Sequence, residues 1–396
     1  MRNFPDFIEA FLQYADNHES TKKVQTWAML SVIAGVMERK IWMDRAYYTL
    51  YPNLYVFIIG KSGLIKKSTS TSIAINLMKE LETVKFMSER LTAGSLIQQL
   101  CNSNKPFFIN DKEINQSPVF AYASELAVFM GEVYGQIIEL LTTFYDCQPN
   151  DPSKPWVYES KHGGTENIFG PCLNILGAST KEWLRKCIPK SEHEGGFTSR
   201  CIFVVENSPP SKFVAWPELP RNVLEFKTKL VEDLDHIHNL MGQVKIHPEA
   251  KKLFAEWYED HMRVVMPKNT DGRFTGYLSR KGDLILKLSM VRSVTLGDDL
   301  LITPEHLRWA GQKLQEIEKD MMLAFSNKQV GKAHLQSYGA QGVYDFIKSK
   351  GKVSQEQLMQ EFPAAKGQVM EVMNDLMGME KVEFTFDNKT QFYEAK

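Results

Sequence analysis

The feature that most constrains this chain is the run Leu-Tyr-Val-Phe-Ile-Ile at 54–59, apolar at every position and followed at once by Gly60-Lys-Ser-Gly-Leu-Ile-Lys-Lys-Ser-Thr69. A strand with one solvated face alternates polar and apolar side chains. A run without a polar position reads as a strand covered on both faces, as in a parallel sheet flanked by helices. Pro52 and Asn53 mark its start. Beyond the loop, Ser68 to Ser72 give way to Ile73, Ile75, Leu77 and Met78, the pattern of a helix with a polar first turn. The spacing predicts a strand-loop-helix unit with glycines in the loop.

Three further apolar runs fit the same sheet: Val119–Ala123, Cys172–Gly177 and Cys201–Glu206. Helical patterns lie between them, around Ser95–Leu100, Glu132–Phe144 and Lys181–Lys186. Strands alternating with helices predict an α/β core with a mainly parallel sheet over residues 51–220. Residues 1–50 read as helices that pack on this core, with apolar stripes at Phe4, Phe7, Ile8 and Phe11 and at Trp27, Leu30, Ile33, Ala34 and Met37. After Pro209-Pro210 strand patterns end, and residues 221–325 read as a helical subdomain. The polar stretch 326–337 reads as a linker. Residues 335–396 combine a helix at Val343, Phe346 and Ile347, a second capped by Ser354, a third over Gly367–Met377, and a hairpin turning at Asp387-Asn388, which together describe a winged helix.

Composition narrows the partners and the compartment. The 396 residues, 43% hydrophobic and 24% charged, suit a folded protein of two or three domains. The formal charge of −1 leaves no global footprint for nucleic acid or membrane, so any such surface is local. Five widely spaced cysteines, with no Cys-x-x-Cys pair, fit a reducing, cytoplasmic setting and no structural zinc. No apolar run approaches the ~20 residues of a spanning helix, and the early Asp6 and Glu9 do not fit a signal peptide.

The strongest chemical signal is the loop itself. Backbone N–H groups of such a turn, with the positive end of the following helix, hold phosphates; a lysine reaches the β- and γ-phosphates, and a hydroxyl binds Mg²⁺. The candidates are Gly60, Ser62, Gly63, Lys66, Lys67, Ser68 and Thr69, with Lys67 on the phosphates of ATP and Ser68 on Mg²⁺. Two departures stand out: Gly60 to Lys67 is one position longer than the usual pattern, and Lys66 replaces the glycine that ordinarily precedes the lysine. A register with Lys66 as the phosphate lysine would put Lys67 in the place of the hydroxyl. A basic turn between strand and helix is the plain alternative.

An ATPase also needs a carboxylate that aligns water, and the strand at Val119 ends in Ser124-Glu125. Glu125 is the candidate general base, or else the cap of a following helix. Ser124 stands where an acidic residue usually supports the metal, which would then rest on Ser68, Ser124 and water. Thr180, after the strand at Cys172, either senses the γ-phosphate or caps the next helix. Gly196-Phe-Thr-Ser-Arg200 delivers one guanidinium, which either stabilises a phosphoryl group in a neighbouring subunit or lies on the surface.

Taken together, these residues resemble the P-loop ATPases with a RecA-type core that phages, plasmids and integrated elements encode, a domain of unknown function related to replicative helicases. The resemblance covers roughly residues 20–325. It rests on Tyr51-Pro-Asn-Leu-Tyr before the loop, Ser124-Glu125-Leu-Ala, Leu176-Gly-Ala-Ser-Thr180, Gly196-Phe-Thr-Ser-Arg200, and Arg280-Lys-Gly-Asp-Leu-Ile-Leu-Lys-Leu-Ser followed by Ile302-Thr-Pro-Glu-His-Leu. It implies ATP hydrolysis by a ring or filament on DNA, and the expected form is a hexameric ring with ATP between subunits, acting on single-stranded or forked DNA. It also implies two loops on the DNA backbone, for which 147–167 (Lys154, Lys161, His162) and 185–197 (Arg185, Lys186, Lys190) are the candidates.

The presumed winged helix is poorly charged for DNA, with seven lysines and no arginine against nine acidic residues over 335–396. Its third helix carries Met370, Met373, Met377 and Met379, which suits docking of a replication protein through those not needed for the core, half of the four being expected inside. A rival reading is an assembly or loader protein of a replication complex that hydrolyses ATP weakly or not at all, favoured by the departures at Lys66 and Ser124. A transcription regulator would need a basic reading helix that 366–379 does not supply.

Overall fold

The computed structural model describes residues 2–396 apart from 62, 64, 132–133, 150, 152–153, 161–163, 188–195, 211, 215–221, 270–271, 326–342, 362–372, 374–375, 378–381, 388–389 and 396. The chain forms two compact units, Met1–Ala324 and Phe325–Lys396. The first opens with α1 (Phe7–Tyr14), capped by the Asp6 carboxylate, and α2 (Lys22–Met37), capped by Thr21. A short hairpin follows, β1 (Ile41–Asp44) with β2 (Thr49–Leu50). Then come β3 (Tyr55–Ile59), α3 (Lys67–Lys79), α4 (Ala93–Cys101), β4 (Lys105–Ile109), β5 (Lys112–Ala123), α5 (Leu126–Met130) and α6 (Tyr134–Tyr145). The hairpin β6 (Trp156–Ser160) with β7 (Gly164–Ile168) leads to β8 (Pro171–Ser179), α7 (Lys181–Cys187) and β9 (Cys201–Val205).

The central sheet has the order β4-β5-β8-β3-β9. Four strands are parallel, and β4 runs antiparallel on the β5 edge. Every residue of β3, β8 and β9 is buried, as the unbroken apolar run at 54–59 predicts. The register fixes where the strands stop: Ile59 lies opposite Ser179 and Val205, and Ala123 opposite Gly177, so the carboxyl ends of four strands finish near one line. The edge strand β4 escapes a sequence reading because only Phe107 of its five residues is buried and Pro106 interrupts it, a tolerance peculiar to edges.

Helix α2 is buried from Val24 through Met37, on all sides rather than on a stripe. The sheet lies against it through β3 and β8, and α1 and α3 pack on it elsewhere. Gly35 is where helix and sheet come closest: a Cβ there would stand 2.4 Å from the Phe120 ring.

The remainder of this unit is helical: α8 (Val223–Asn239), α9 (Pro248–Asp260), α10 (Gly272–Leu296) and α11 (Pro304–Phe325). Strands do not end at Pro209-Pro210, however. The two-residue strands Gly242–Gln243, which pairs with β1, and Lys245–Ile246, which pairs with Leu301–Ile302, lie between the helices. Two residues carry no periodicity, so no pattern announces them. The second unit holds a helix at 343–350, the strand Lys352–Ser354, α12 (Gln355–Glu361) and a hairpin of Val382–Asp387 with Thr390–Ala395. Ser354 caps α12 reciprocally with Gln357, at 3.2 and 2.8 Å. The 326–337 stretch lies outside the described residues, as do Met370, Met379 and most of the expected third helix. Met373 belongs to the core of this unit with Val343, Ile347, Leu358 and Tyr393, so it is spent on packing rather than docking.

At the end of α2, Glu38, 2% exposed, accepts from Lys105 Nζ at 2.7 Å and Gln116 Nε2 at 2.9 Å. Beside it, Lys40 donates to the His238 carbonyl, and burial pushes its ammonium down to about 8. His238 Nδ1 lies 2.8 Å from the Val36 carbonyl and so carries the proton, leaving Nε2 to accept from Thr83 Oγ1 at 2.8 Å. Burial holds His238, His18 and His306 below the ordinary histidine value. Below about pH 6.5 the unfolded chain takes up protons at these sites that the folded chain refuses, so stability declines as pH falls. Urea denaturation of the full chain is expected to show a lower midpoint at pH 6.0 than at pH 7.0; a higher midpoint at pH 6.0 would mean these imidazoles are charged in the native state.

Candidate functional site

The loop after β3 is shaped by three backbone requirements. Gly60 donates its N–H to the Ser179 carbonyl at 3.2 Å, and a Cβ there would lie 2.7 Å from the Glu206 carbonyl oxygen, so only glycine passes between β8 and β9. Gly63 has φ +76°, and Lys66 has φ 41° and ψ 45°. Left-handed backbone favours glycine, which explains why glycine ordinarily precedes the phosphate lysine. Lys66 accepts that conformation at a cost of about 1 kcal/mol.

The next residue, Lys67, opens α3 and donates Nζ to the Gly60 carbonyl at 2.7 Å, folding across its own loop. Half-burial lowers its ammonium below the ordinary lysine value, while the Glu125 and Glu182 carboxylates act in the opposite sense. Lys66 points its ammonium elsewhere, to Glu19 Oε2 at 2.5 Å. Ser68 Oγ donates weakly to the Ser124 carbonyl at 3.4 Å, joining the loop to the end of β5. Thr71 Oγ1 and the Tyr122 hydroxyl, 3.0 Å apart, tie the same two elements one turn further on.

Glu125 precedes α5, yet its side chain makes no capping bond and is exposed, so the cap alternative does not account for it. Thr180 does cap: its Oγ1 accepts from Trp183 N at 3.2 Å, an acceptor role that leaves the hydroxyl proton free to face a ligand. A cleft of about 390 Å³ at the carboxyl edge of the sheet is lined by Gly63, Lys66, Lys67, Ser68, Thr69, Ser124, Glu125 and Thr180 together. Gly60 lies at the end of β3 beside it, and Ser62 lies outside the described residues. The oxygens of Ser68, Ser124 and Glu125 are the donor types a hard divalent cation takes, so this lining fits Mg²⁺. Trp183, which also lines the cleft, was not legible as a site residue; its only signal is that it stands one helical turn beyond Thr180.

Arg200 is placed differently. It precedes β9, whose first residue lies opposite Tyr55, so it belongs to the amino edge of the sheet, roughly 16 Å along the strands from the cleft. Its side chain is 11% exposed, and the guanidinium donates to Asp146 Oδ2 and to the Gly196 carbonyl, both at 2.7 Å. Arg280 holds the other oxygen of Asp146 at 3.3 Å. The loop at 196–200 thus ends in an arginine paired within its own chain, to Asp146 just past the end of α6.

Among the DNA candidates, Lys161, His162 and Lys190 lie outside the described residues. Arg185 and Lys186 fall in α7, with side chains outside the description. Residues 147–167, expected as a loop, are in large part the β6–β7 hairpin. On it Trp156 and Tyr158 stack in parallel with centroids 6.2 Å apart, and Tyr158 is 40% exposed.

No protein-family model matches this chain, and no curated protein matches it.

Because the Glu125 carboxylate is exposed and caps nothing, it is not needed for folding. Glu125→Gln is expected to change unfolding free energy by less than about 0.5 kcal/mol in urea. A loss above about 1 kcal/mol would show a structural duty for this carboxylate.

Proposed function

We propose that this chain is a DNA-dependent ATPase, a helicase or translocase with a RecA-type P-loop core and a C-terminal winged helix, acting as a ring that binds ATP and Mg²⁺ between subunits. The observation that carries this is the convergence of three distant segments, Gly63 with 66–69, 124–125 and 178–180, on one cleft at the carboxyl edge of a parallel sheet. Ligands of open α/β sheets lie at that edge, where neighbouring strands send their connections in opposite directions. Here β3 leads past β8 and β5 to the edge strand β4, which turns back into β5, while β8 leads across β3 to β9. The carboxylate strand and the loop strand are separated by β8 alone, about 10 Å. That gap suits a phosphoryl group with a water on its far side.

In this reading the loop N–H groups and Lys67 hold the β- and γ-phosphates, and Ser68 and Ser124 support the cation. Glu125 takes a proton from water in line with the γ-phosphate, and Thr180 donates its hydroxyl proton to a γ-phosphate oxygen. Lys67 must leave the Gly60 carbonyl to do this, a move of one side chain. Arg200 serves a neighbouring subunit only if it exchanges Asp146 for a phosphate. Bases of single-stranded DNA stack on Tyr158, and the second unit docks a replication protein.

Lys67→Ala and Glu125→Gln are each expected to reduce ATP turnover by at least 100-fold, a magnitude ordinary for loss of a phosphate clamp or a general base. Turnover by Glu125→Gln at the parental rate would remove Glu125 from the chemistry. Tyr158→Ala is expected to weaken binding of single-stranded oligonucleotide by roughly 5- to 100-fold in fluorescence anisotropy at fixed salt. Unchanged affinity would move the DNA contact away from the hairpin.

A second reading, an assembly or loader protein that binds nucleotide without turning it over, is favoured by one observation: Lys66 and Lys67 are both satisfied by the chain's own oxygens. Hydrolysis measured with and without single-stranded DNA separates the two.

A further inference from the structure

The turn between α1 and α2 contributes a carboxylate to the phosphate loop from 47 positions upstream of Lys66. Glu19 Oε2 pairs with Lys66 Nζ at 2.5 Å, and Glu19 Oε1 accepts the Val214 N–H at 2.8 Å. The Glu19 side chain is only 14% exposed, against 47% for Lys66, so the acid is the fixed partner and the lysine the mobile one. Both contacts hold the Glu19 carboxyl below its ordinary value, which keeps it anionic across the neutral range. His18 stands close enough for the Lys66 charge to act on it, and its buried Nδ1 has no hydrogen-bond partner among the described residues.

A carboxylate paired with the ammonium of a lysine whose chain lines the cleft takes up a charge that an anionic ligand would otherwise meet. It also adds negative charge beside a site meant for polyphosphate. From this geometry we infer that Glu19 is an internal latch: it holds Lys66 away from the cleft, and a nucleoside triphosphate opens the loop by drawing Lys66 from Glu19 onto its phosphates. The inference rests on reading the loop as a phosphate site. Its consequence is that nucleotide occupancy loosens the contact that joins the α1–α2 turn, residues 212–214 and the loop, three segments otherwise far apart in sequence.

The test uses the full chain and the Mg²⁺ complex of a non-hydrolysable ATP analogue, with affinity read by calorimetry. Glu19→Gln keeps an oxygen for the Val214 N–H and removes only the charge. It is expected to bind the analogue roughly fivefold more tightly than the parent, the equivalent of one partly exposed ion pair. Adding Lys66→Gln to that variant is expected to abolish the gain. Equal or weaker binding by Glu19→Gln, while Lys67→Ala still abolishes binding, would overturn the latch and leave the phosphate site standing. A gain that persists in the double variant would also overturn it, because Glu19 would then act by charge alone and not through Lys66. Failure of parent and variants alike to bind the analogue would remove the phosphate site, and the latch with it.

Discussion

The structure depends on the burial of β3 between β8 and β9. A strand in that position has its N–H and C=O groups paired on both edges and its side chains covered on both faces, so it cannot slip by one residue without exposing apolar surface or orphaning polar groups. Its end is therefore fixed to the residue. The chain must turn at Gly60, between the ends of two neighbours that are equally fixed. With α2 buried along 14 consecutive residues against one face, the sheet cannot flex to relieve what happens at its edge. The cleft is a by-product of this rigidity: four parallel strands stop together, and their connecting segments have to diverge.

The loop that emerges is held by its own chemistry. Lys67 returns to a carbonyl and Lys66 leaves for a carboxylate, so these two ammonium groups are held by oxygens from the same chain. Unpaired ammonium groups packed into a tight left-handed turn would repel each other, and internal oxygens remove that cost.

The opposite edge of the sheet is organised by equally specific polar groups, used for cohesion. Asp146 joins Arg200 from the start of β9 to Arg280 of α10. Lys287, 2% exposed, donates to the Asn53 carbonyl and side chain at 3.0 and 2.8 Å and lies 4.0 Å from the centre of the Tyr145 ring. Burial pushes that ammonium down to about 8, and Asn53 replaces the water it has lost. Asn53, which in sequence only marks the start of a strand, is thus the acceptor that lets α10 pack a cation against the core.

What the sequence determined by itself was what local pattern can encode: the all-apolar strand, the polar start of α3, the Ser354 cap, the alternation that makes a parallel sheet, and the candidacy of Lys67, Ser68, Glu125 and Thr180 for a shared edge. Each of these follows from residues within one strand or one turn of helix. Only the tertiary structure decided that Lys66 occupies a left-handed position and answers to Glu19, that Arg200 is bound to Asp146 at the far edge, that residues 147–167 are largely a hairpin, and that two-residue strands lie among the later helices. Apart from the hairpin, whose strands pair within 12 positions of each other, these depend on partners tens to hundreds of positions away, and a charged side chain carries no local sign of which opposite charge it will meet. Pattern places the long buried strands and helices; the pairing of charges is settled only when distant segments are packed closely enough to exclude the water that would otherwise screen them.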